Sequence, residues 1–314
     1  MLQSNGKLRI QANALADGTV YAAVWMNHEQ PFSGSQIQAQ SLQSLHVEKG
    51  GLILFHKHDE EYPLLRSNYE GETRIRATSP IHAFEQTDIA ITGQGVIDGN
   101  GQLWRMVKSM KMTAKQWEKL VKSGGVVADG NDGPHWFPSE GSYLGHKVPN
   151  VDPEAEDWKE QAQKYFDYHR PVMVNLVRCK RVRIEDITLQ NSPAWNLHPL
   201  FCEHVTIKNA NIRNPWYAQN GDGLDLESCR FVNIEGTSFD VGDDAICMKA
   251  GKNAPARTIQ IPTEYVTIRD CVVYHGHGGF VVGSEMSRGV RHIHVSNCLF
   301  IGTDVGIRFK STLG

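Results

Sequence analysis

The sequence predicts an all-β protein, a single-stranded parallel β-helix in which successive coils of the chain stack on one another. Three observations support this prediction. A short strand pattern recurs along the chain, a second apolar pair recurs within each repeat, and Asp, Asn or Gly ends the first strand of each repeat. The 314 residues are enough for one large domain or two ordinary ones.

The recurring strand has apolar residues at every second position and ends in a residue that favours turns. Copies occupy residues 88–93, 181–186, 204–209, 231–236, 265–270 and 292–297. The last five copies start 23, 27, 34 and 27 residues apart (at 181, 204, 231, 265 and 292). A repeat of that size is typical of a solenoid coil, which buries its apolar face against neighbouring coils. A β-sandwich would need tight hairpins of the Asn-Gly type at short spacing, and few are present.

A second strand in each repeat is marked by two apolar residues that flank one outward position. These pairs are Trp195/Leu197, Leu224/Leu226, Ile246/Met248, Phe280/Val282 and Ile307/Phe309. Aligning the repeats on these pairs places Asp222 and Asp244 at one offset, with Asp243 and His277 one residue earlier. Adjacent parallel strands lie about 4.8 Å apart. We therefore expect the three carboxylates to crowd one patch, with His277 on the next coil.

Clustered carboxylates indicate acid/base cleavage of a glycosidic bond. A glycosidase needs one protonated acid and one carboxylate, and neighbouring carboxylates raise one another's pKa, which keeps one of them protonated. Asp222, Asp243 and Asp244 meet both needs, and His277 between two glycines is the fourth catalytic candidate. The alternative is that these motifs are merely turns. A turn would explain one such motif on its own. It explains less well why two of them occur at the same offset in adjacent coils.

Cationic and polar residues near the carboxylates are candidates for substrate binding. Arg308 and Lys310 lie two positions apart on one strand and so project to the same side. An arginine there can hold a sugar carboxylate through two hydrogen bonds. Asn220 opens the Asn-Gly-Asp turn, and His198 in the preceding coil is equally a sugar-binding group or a plain surface histidine. No cysteine spacing indicates zinc, and we expect no metal or other cofactor.

These residues resemble the motif series of glycoside hydrolase family 28, the polygalacturonase family. That series is Asn-Thr-Asp, Gly/Gln-Asp-Asp, Gly-His-Gly and Arg-Ile-Lys on successive coils of a right-handed parallel β-helix. It stands here at residues 220–222, 242–244, 276–278 and 308–310. Two positions depart from it: Gly221 replaces Thr and can alter the turn that aims Asp222, and Phe309 replaces Ile and is expected to point inward. The resemblance covers roughly residues 44–314 apart from an insertion.

The resemblance implies hydrolysis of α-linked galacturonate in pectin with inversion at the anomeric carbon and without a metal. Asp243 would protonate the leaving oxygen, the other two carboxylates would activate water, and His277 would tune the acid. Arg308 and Lys310 would bind the galacturonate carboxylate. The partner would be a pectic polysaccharide or an oligogalacturonide. Relatives cleave homogalacturonan, rhamnogalacturonan or xylogalacturonan, so the linkage stays open.

We expect one β-helix domain over residues 1–314, interrupted by a helical and loop insertion at 105–170. Within it, a capping box at Thr113-Ala-Lys-Gln116 predicts one helix, Asp152-Pro153 predicts the start of a second, and residues 131–138 are predicted to be loop.

The insertion is either a surface elaboration or a wall of the substrate cleft, with Trp136 or Phe137 stacking on sugar. A wall would obstruct a long groove and favour exo-action on chain ends or oligomers. Two alternatives to a hydrolase remain. A pectate lyase would need clustered calcium ligands and an arginine base, and a non-catalytic β-helix would only bind polysaccharide.

Bulk composition limits the remaining classes. A net charge of −3 gives no reason to expect nucleic acid, and no run of 18 apolar residues could span a membrane. The start, Met1-Leu-Gln-Ser, lacks the features of a signal peptide, although members of the family are expected to be secreted or periplasmic. The last coil would end as an open sheet edge shortly after Lys310, which predicts truncation at the C-terminus. We expect a monomer.

Overall fold

The computed structural model describes residues 9–14, 20–25, 32–34, 37–38, 43–57 and 61–311. Stacked strands form a three-sided parallel β-helix, as predicted. One side, here called sheet A, contains Arg9–Ala14, Val20–Trp25, Gln43–His46, Thr87–Thr92, Lys180–Glu185, Glu203–Lys208, Arg230–Glu235, Thr263–Arg269 and Val290–Ser296. Only the first two of these strands pair antiparallel.

The other two sides consist of shorter strands. Sheet B contains Phe32–Gly34, Leu52–Phe55, Val96–Asp98, Thr188–Gln190, Asn211–Arg213 and Ser238–Asp240. Sheet C contains Ile37–Gln38, Ile81–Phe84, Val174–Val177, Leu197–Leu200, Leu224–Glu227 and Ile246–Lys249. Two long strands, Val272–Val282 and Leu299–Phe309, continue both sheets. Each coil runs from sheet C to sheet A, then to sheet B, and returns to sheet C through a loop.

Turn chemistry and apolar stacking explain the coil. The residues that directly follow five of the sheet A strands adopt left-handed backbone conformations with φ between 50° and 62°, namely Asp186, Asn209, Gly236, Asp270 and Asn297. Asn, Asp and Gly tolerate this region better than other residues. Inside the coil, equivalent positions stack in register, so that Ile184, Ile207, Ile234 and Ile268 form one buried column. Burying each such side chain contributes about 1.5–3 kcal/mol.

The alignment of the sheet C strands is confirmed for four coils and wrong for one. Leu224 pairs with Ile246, Ile246 with Phe280, and Phe280 with Ile307. In the earlier coil, however, Leu197 rather than Trp195 pairs with Leu224, a shift of two residues. The indole of Trp195 instead packs on Tyr69, with ring centroids 4.2 Å apart. Apolar alternation alone does not separate these two registers.

The insertion contains sheet as well as helix. Its α-helices are Ala114–Lys122, Glu140–Gly145 and Trp158–Gln163, and its antiparallel strands are Val107–Lys108, Val126–Gly130 and Gly133–Phe137. Short 3-10 turns occur at Gly101–Leu103, Ser109–Lys111 and Phe166–Tyr168. Outside the insertion lie the helix Asn253–Thr258 and the hairpin Leu64–Tyr69 with Glu72–Ala77.

The Thr113/Gln116 capping box is present as predicted. The helix predicted to start at Asp152-Pro153 begins at Trp158 instead. The prediction of loop at 131–138 is wrong, because Gly133–Phe137 is a strand.

Two further expectations about apolar residues are wrong. Trp136 and Phe137 are 7% and 4% exposed, and the Trp136 indole donates a hydrogen bond to the carbonyl of Gly124 at 2.6 Å. They stabilise the insertion and do not offer a stacking surface for sugar. Phe309, expected to be inside, is 73% exposed, because no strand in the described part of the chain covers this last coil.

Candidate active site

Strand register brings the three predicted carboxylates together. Asp222 lies just before the strand Leu224–Glu227, and Asp243 and Asp244 lie just before Ile246–Lys249 on the next coil. The loops stay in register, since the amide of Gly223 donates to the carbonyl of Asp244 at 2.9 Å. One carboxylate oxygen from each aspartate lies within 4.8 Å of the others.

Burial and mutual repulsion raise the pKa values of this cluster. Asp222 is 5% exposed. Its burial, together with the charges of Asp225, Asp243 and Asp244, raises its pKa well above the usual value. Burial and the charge of Asp244 also raise the pKa of Asp243, although Lys111 and other nearby positive charges oppose the shift. Interacting carboxyl groups titrate as a set, so the cluster retains a proton at a pH where an isolated aspartate would be ionised.

Lys310 forms an ion pair with one member of the cluster. Its ammonium group lies 2.6 Å from a carboxylate oxygen of Asp244, which is 1% exposed. Burial alone would lower the pKa of Lys310, but the hydrogen bond and charge of Asp244 outweigh burial and raise it. The second oxygen of Asp244 and one oxygen of Asp222 are buried without a hydrogen-bond partner in the described structure. One oxygen from each of the three aspartates could together ligate a divalent cation, but the ammonium of Lys310 already pairs with one carboxylate oxygen of Asp244.

His277 lies beside the cluster and holds Arg308. Its main-chain amide donates to the carbonyl of Asp243 at 2.8 Å. Its ring Nδ1 lies 2.9 Å from Asp304, and its Nε2 is hydrogen-bonded to the guanidinium of Arg308. Because a guanidinium only donates, Nε2 must accept, which assigns the proton to Nδ1. The ring therefore positions Arg308, and neither of its nitrogens is hydrogen-bonded to the carboxyl group of Asp243.

The remaining two predicted residues have different fates. Asn220 adopts a left-handed conformation, and its side-chain oxygen accepts a hydrogen bond from Arg170 at 2.8 Å. It is half-buried and lies two residues before Asp222, and its role in binding substrate stays a prediction. His198 is 0% exposed, and its Nε2 lies 3.1 Å from the buried Glu227. The prediction that His198 contacts sugar is wrong, because its coil is covered by the hairpin that carries Tyr69.

Gly221, which departs from the family motif, lies so close to Ala218 that there is no room for a side chain. A Cβ atom added there would lie 2.5 Å from the Cβ of Ala218 and 2.9 Å from its carbonyl oxygen. Threonine would therefore require the loop to move. Glycine preserves the turn that places Asp222 in the cluster.

Several charged residues near the cluster were not predicted from the sequence to belong to the site. Lys111, from the insertion, donates to the carbonyl of Gly242 at 3.3 Å. Beneath the surface, Lys249 lies 2.7 Å from Glu285 and 3.7 Å from Asp225. The alternation of sheet C could have shown Asp225 and Lys249 as polar positions in a buried strand. No local pattern could have found Lys111, which is 131 residues from its partner.

A small cavity of about 160 Å³, here called the end pocket, lies next to the cluster. Its lining includes Asn220 and Arg170, the hairpin residues Tyr69 and Arg76, and the insertion residues His146 and Tyr168. The hairpin and the insertion therefore close the surface on this side of Asp222. A second cavity, of about 790 Å³, lies along sheet B and includes the half-exposed Trp216, but none of the predicted catalytic residues.

Comparison with known sequences identifies the family. Residues 108–314, which are 207 of the 314, match the model of glycosyl hydrolases family 28. The chain belongs to glycoside hydrolase family 28. The resemblance carried by the four motifs is thus confirmed.

Similar proteins of family 28 include exo-acting enzymes. An exo-poly-alpha-D-galacturonosidase of Dickeya chrysanthemi is 26% identical over 291 residues, covering 89% of this chain and 45% of the relative. A polygalacturonase of Chamaecyparis obtusa is 32% identical over 231 residues, covering 73% and 34%.

Among solved structures, an exopolygalacturonase from Thermotoga maritima is 31% identical with a TM-score of 0.68, covering 90% of this chain and 60% of that one. The chain thus spans less than half the length of these two curated relatives. Its fold is the right-handed parallel β-helix. None of the helices in the described part has the length and apolar character that crossing a bilayer requires.

Proposed function

We propose that this chain carries the active site of a hydrolase that cleaves α-linked galacturonate in pectin. The observation that carries the proposal is the cluster of Asp222, Asp243 and Asp244, which retains a proton and lies next to Lys310 and Arg308. Acid and carboxylate groups are what glycosidic hydrolysis requires, and the cations suit a substrate that is itself an acid. Membership of family 28 and similarity to polygalacturonases support the same substrate class.

Each carboxylate has a role that fits its environment. Asp243 is the most exposed of the three and has a raised pKa, so it is the group that can deliver a proton to the glycosidic oxygen as the C1–O bond breaks. Asp222 and Asp244 each have a buried oxygen with unused acceptor capacity. Those oxygens can hold a water molecule and direct it at C1. We assign removal of its proton to Asp244, because burial and neighbouring charges raise the pKa of Asp222 well above its usual value and suit that group to orienting the water. The ammonium of Lys310 lies 2.6 Å from a carboxylate oxygen of Asp244 and fixes the position of that side chain.

The cations bind and orient the substrate. Arg308 lies on the strand Leu299–Phe309, beside Val281 of the adjacent coil, and Lys310 directly follows that strand. His277 fixes the Arg308 guanidinium through one hydrogen bond and leaves its other donors for a sugar carboxylate. Losing this fixed orientation should weaken binding of the acidic sugar more than it slows the bond-breaking step.

The stereochemical outcome is a separate part of the proposal. We infer inversion, with water held between Asp222 and Asp244 attacking opposite the leaving oxygen. The oxygens lie within 4.8 Å, closer than the 6.5–9.5 Å typical of inverting enzymes. The general rule describes a pair of carboxyl groups. Here a third carboxylate is present, so Asp222 and Asp244 can hold the water while Asp243 serves as the acid. Proton NMR of the first product formed separates the two: the β-anomer appears first under inversion and the α-anomer under retention.

Exo-action is the proposed mode, because the hairpin and the insertion close the surface beside Asp222. A chain that enters such a surface must present an end rather than pass through. Early products from long homogalacturonan should therefore be mono- or digalacturonate. A ladder of long fragments at the first time points would show internal cleavage and contradict this mode.

Release of reducing ends from homogalacturonan, with rhamnogalacturonan as the comparison, tests the proposed function. We expect homogalacturonan to be the better substrate and the products to lack ultraviolet absorbance. An unsaturated, absorbing product would indicate a lyase instead. Binding of galacturonan without any release of reducing ends would indicate a non-catalytic β-helix.

A further inference from the structure

Buried donors in the end pocket lack partners. Two guanidinium nitrogens of Arg76, Nε and Nη2, are buried and make no hydrogen bond in the described structure. The hydroxyl of Tyr69 and the Nε2 of His169, both in the pocket lining, are likewise unsatisfied. Nearly all buried polar groups in folded proteins are hydrogen-bonded, so such a concentration needs an explanation. A ligand that accepts hydrogen bonds would supply one.

The pocket also carries positive charge without a matching anion. Arg170 donates to Pro193, Gln219 and Asn220, which are all neutral acceptors. Neither Arg76 nor Arg170 has a carboxylate within 4.0 Å among the described residues.

Other charges near the pocket do not supply that anion. Glu70 also lines the pocket, but it forms no ion pair with either arginine, and Glu72 pairs with Arg74 instead. Burial lowers the pKa of Arg170, and the charge of Arg76 adds to the shift. Burial lowers the pKa values of His146 and His169 to about 4, so both rings are neutral at pH 7.

Size limits the ligand to one sugar ring. The volume of about 160 Å³ corresponds to roughly five water molecules. Both faces of the Tyr69 ring are already occupied, by the Arg76 guanidinium at 3.7 Å and by Trp195 at 4.2 Å. The ring therefore holds Arg76 in place, and the ligand must be recognised mainly at its polar edge.

The pocket adjoins the catalytic carboxylates. Asn220, which lines it, is two residues from Asp222. Burial raises the pKa of Tyr69, and the charge of Asp222 is close enough to add to the shift. A sugar in the pocket would thus lie at or next to the bond that is cleaved.

We propose that the end pocket binds the terminal uronate residue of the substrate, with Arg76 holding its carboxylate and Tyr69 hydrogen-bonded to the same sugar. This inference rests on the proposed galacturonan hydrolysis and adds which residues recognise the chain end. It predicts that the enzyme prefers a free carboxylate on the terminal sugar.

Comparing the affinities of two monosaccharides tests the inference directly. Galacturonate and galactose differ only at C6, which is a carboxylate in the first and a hydroxymethyl group in the second, and each is titrated against the wild-type protein by calorimetry. We expect galacturonate to bind at least tenfold more tightly, and Arg76→Gln to remove most of that preference. Arg183→Gln is the matched control, because Arg183 is an exposed arginine of sheet A paired with Glu185, and it should keep the full preference. An unchanged preference in Arg76→Gln overturns the inference.

A second, smaller substitution tests the inference even if the Arg76→Gln variant does not fold. Tyr69→Phe removes only the hydroxyl and keeps the ring between Arg76 and Trp195. It should weaken galacturonate binding about threefold to tenfold and raise KM for trigalacturonate more than it lowers kcat. Galacturonate binding and KM equal to wild type would overturn the role of this pocket.

The inference and the proposed function fail in different ways. If the wild type releases no reducing ends from any galacturonan, the proposed function fails, whatever the binding data show. If the wild type hydrolyses galacturonan while Arg76→Gln and Tyr69→Phe behave like the wild type, only the assignment of the end pocket fails.

Discussion

Replacing Lys249 with methionine removes one positive charge from an enclosed group of charges beneath the catalytic carboxylates. The ammonium group of Lys249 lies 2.7 Å from Glu285 and 3.7 Å from Asp225. The three residues are 4%, 7% and 0% exposed. Methionine has a similar length and can keep the packing against Trp195, whose ring centroid is 5.0 Å from the ammonium. The change therefore tests charge more than volume.

The expected loss of stability follows from these distances. At an effective dielectric constant of about 20, a unit charge pair at 2.7 Å, such as Lys249 with Glu285, gains about 6 kcal/mol. The Asp225 pair at 3.7 Å adds less than a full charge pair would, because burial raises the pKa of Asp225 well above its usual value. Part of this gain offsets the several kcal/mol that it costs to bury the ammonium, which the variant no longer incurs. Removing one partner of a buried ion pair usually costs about 3–5 kcal/mol, and we expect Lys249→Met to fall in that range at pH 7.

The pH dependence of this loss has a definite sign. Burial would raise the pKa of Glu285, but Lys249 outweighs it and lowers the pKa below its usual value. A lowered pKa in the folded state contributes stability above the unfolded pKa, about 4.3, and that contribution disappears as the pH falls through the folded value. The raised pKa of Lys249 contributes at every pH below about 10. The loss in Lys249→Met should thus be full at pH 7 and smaller below about pH 4.

Urea unfolding of wild type and variant at pH 7 and at pH 3.5 measures both effects. Lys208→Met is the matched control, because Lys208 forms a surface pair with Glu235 at 3.8 Å, which is worth about 0–1 kcal/mol. If Lys249→Met loses no more stability than this control at pH 7, the ion cluster does not stabilise the coil. A loss of equal size at both pH values would contradict the role of Glu285.

Three further changes probe the surroundings of the cluster. Lys111→Ala removes a positive charge that lowers the pKa of Asp243, so Asp243 should keep its proton to higher pH. The alkaline limb of the pH–rate profile should then move to higher pH. A limb at the same pH as in the wild type would show that Lys111 does not influence Asp243. Gly221→Thr should destabilise by about 1–3 kcal/mol through overpacking against Ala218, and thermal unfolding should show partial recovery on adding Ala218→Gly. Trp136→Ala should cost about 3–5 kcal/mol in unfolding free energy and leave KM unchanged, whereas a raised KM would restore its role at the substrate.

The carboxylate cluster could be predicted because its geometry depends on two regular features of the chain. Alternation sets which side chains face outward, and stacking sets which coils are neighbours. Asp222 and Asp244 are 22 residues apart in sequence and meet because Leu224 pairs with Ile246. The same reasoning misplaced His198, since Trp195 and Leu197 fit the inward pattern equally well. Tertiary packing of Trp195 on Tyr69 decides between them.

Contacts made by the insertion could not be predicted in the same way. Lys111 reaches Gly242, and Arg170 reaches Asn220, across irregular segments that follow no repeat. The buried position of Trp136 depends on a hairpin whose strands have weak alternation. Such contacts depend on three-dimensional packing, and they include the residues that close the end pocket.

Hydrolysis of homogalacturonan by Asp243→Asn, beside Asp240→Asn as the control, tests the central claim most directly. An amide cannot donate the required proton, and Asp240 pairs with His275 on sheet B, outside the carboxylate cluster. The account predicts that Asp243→Asn lowers kcat by about 10²–10⁴-fold while still binding the polymer, and that Asp240→Asn stays within about twofold of wild type. Equal rates for wild type and Asp243→Asn would contradict it.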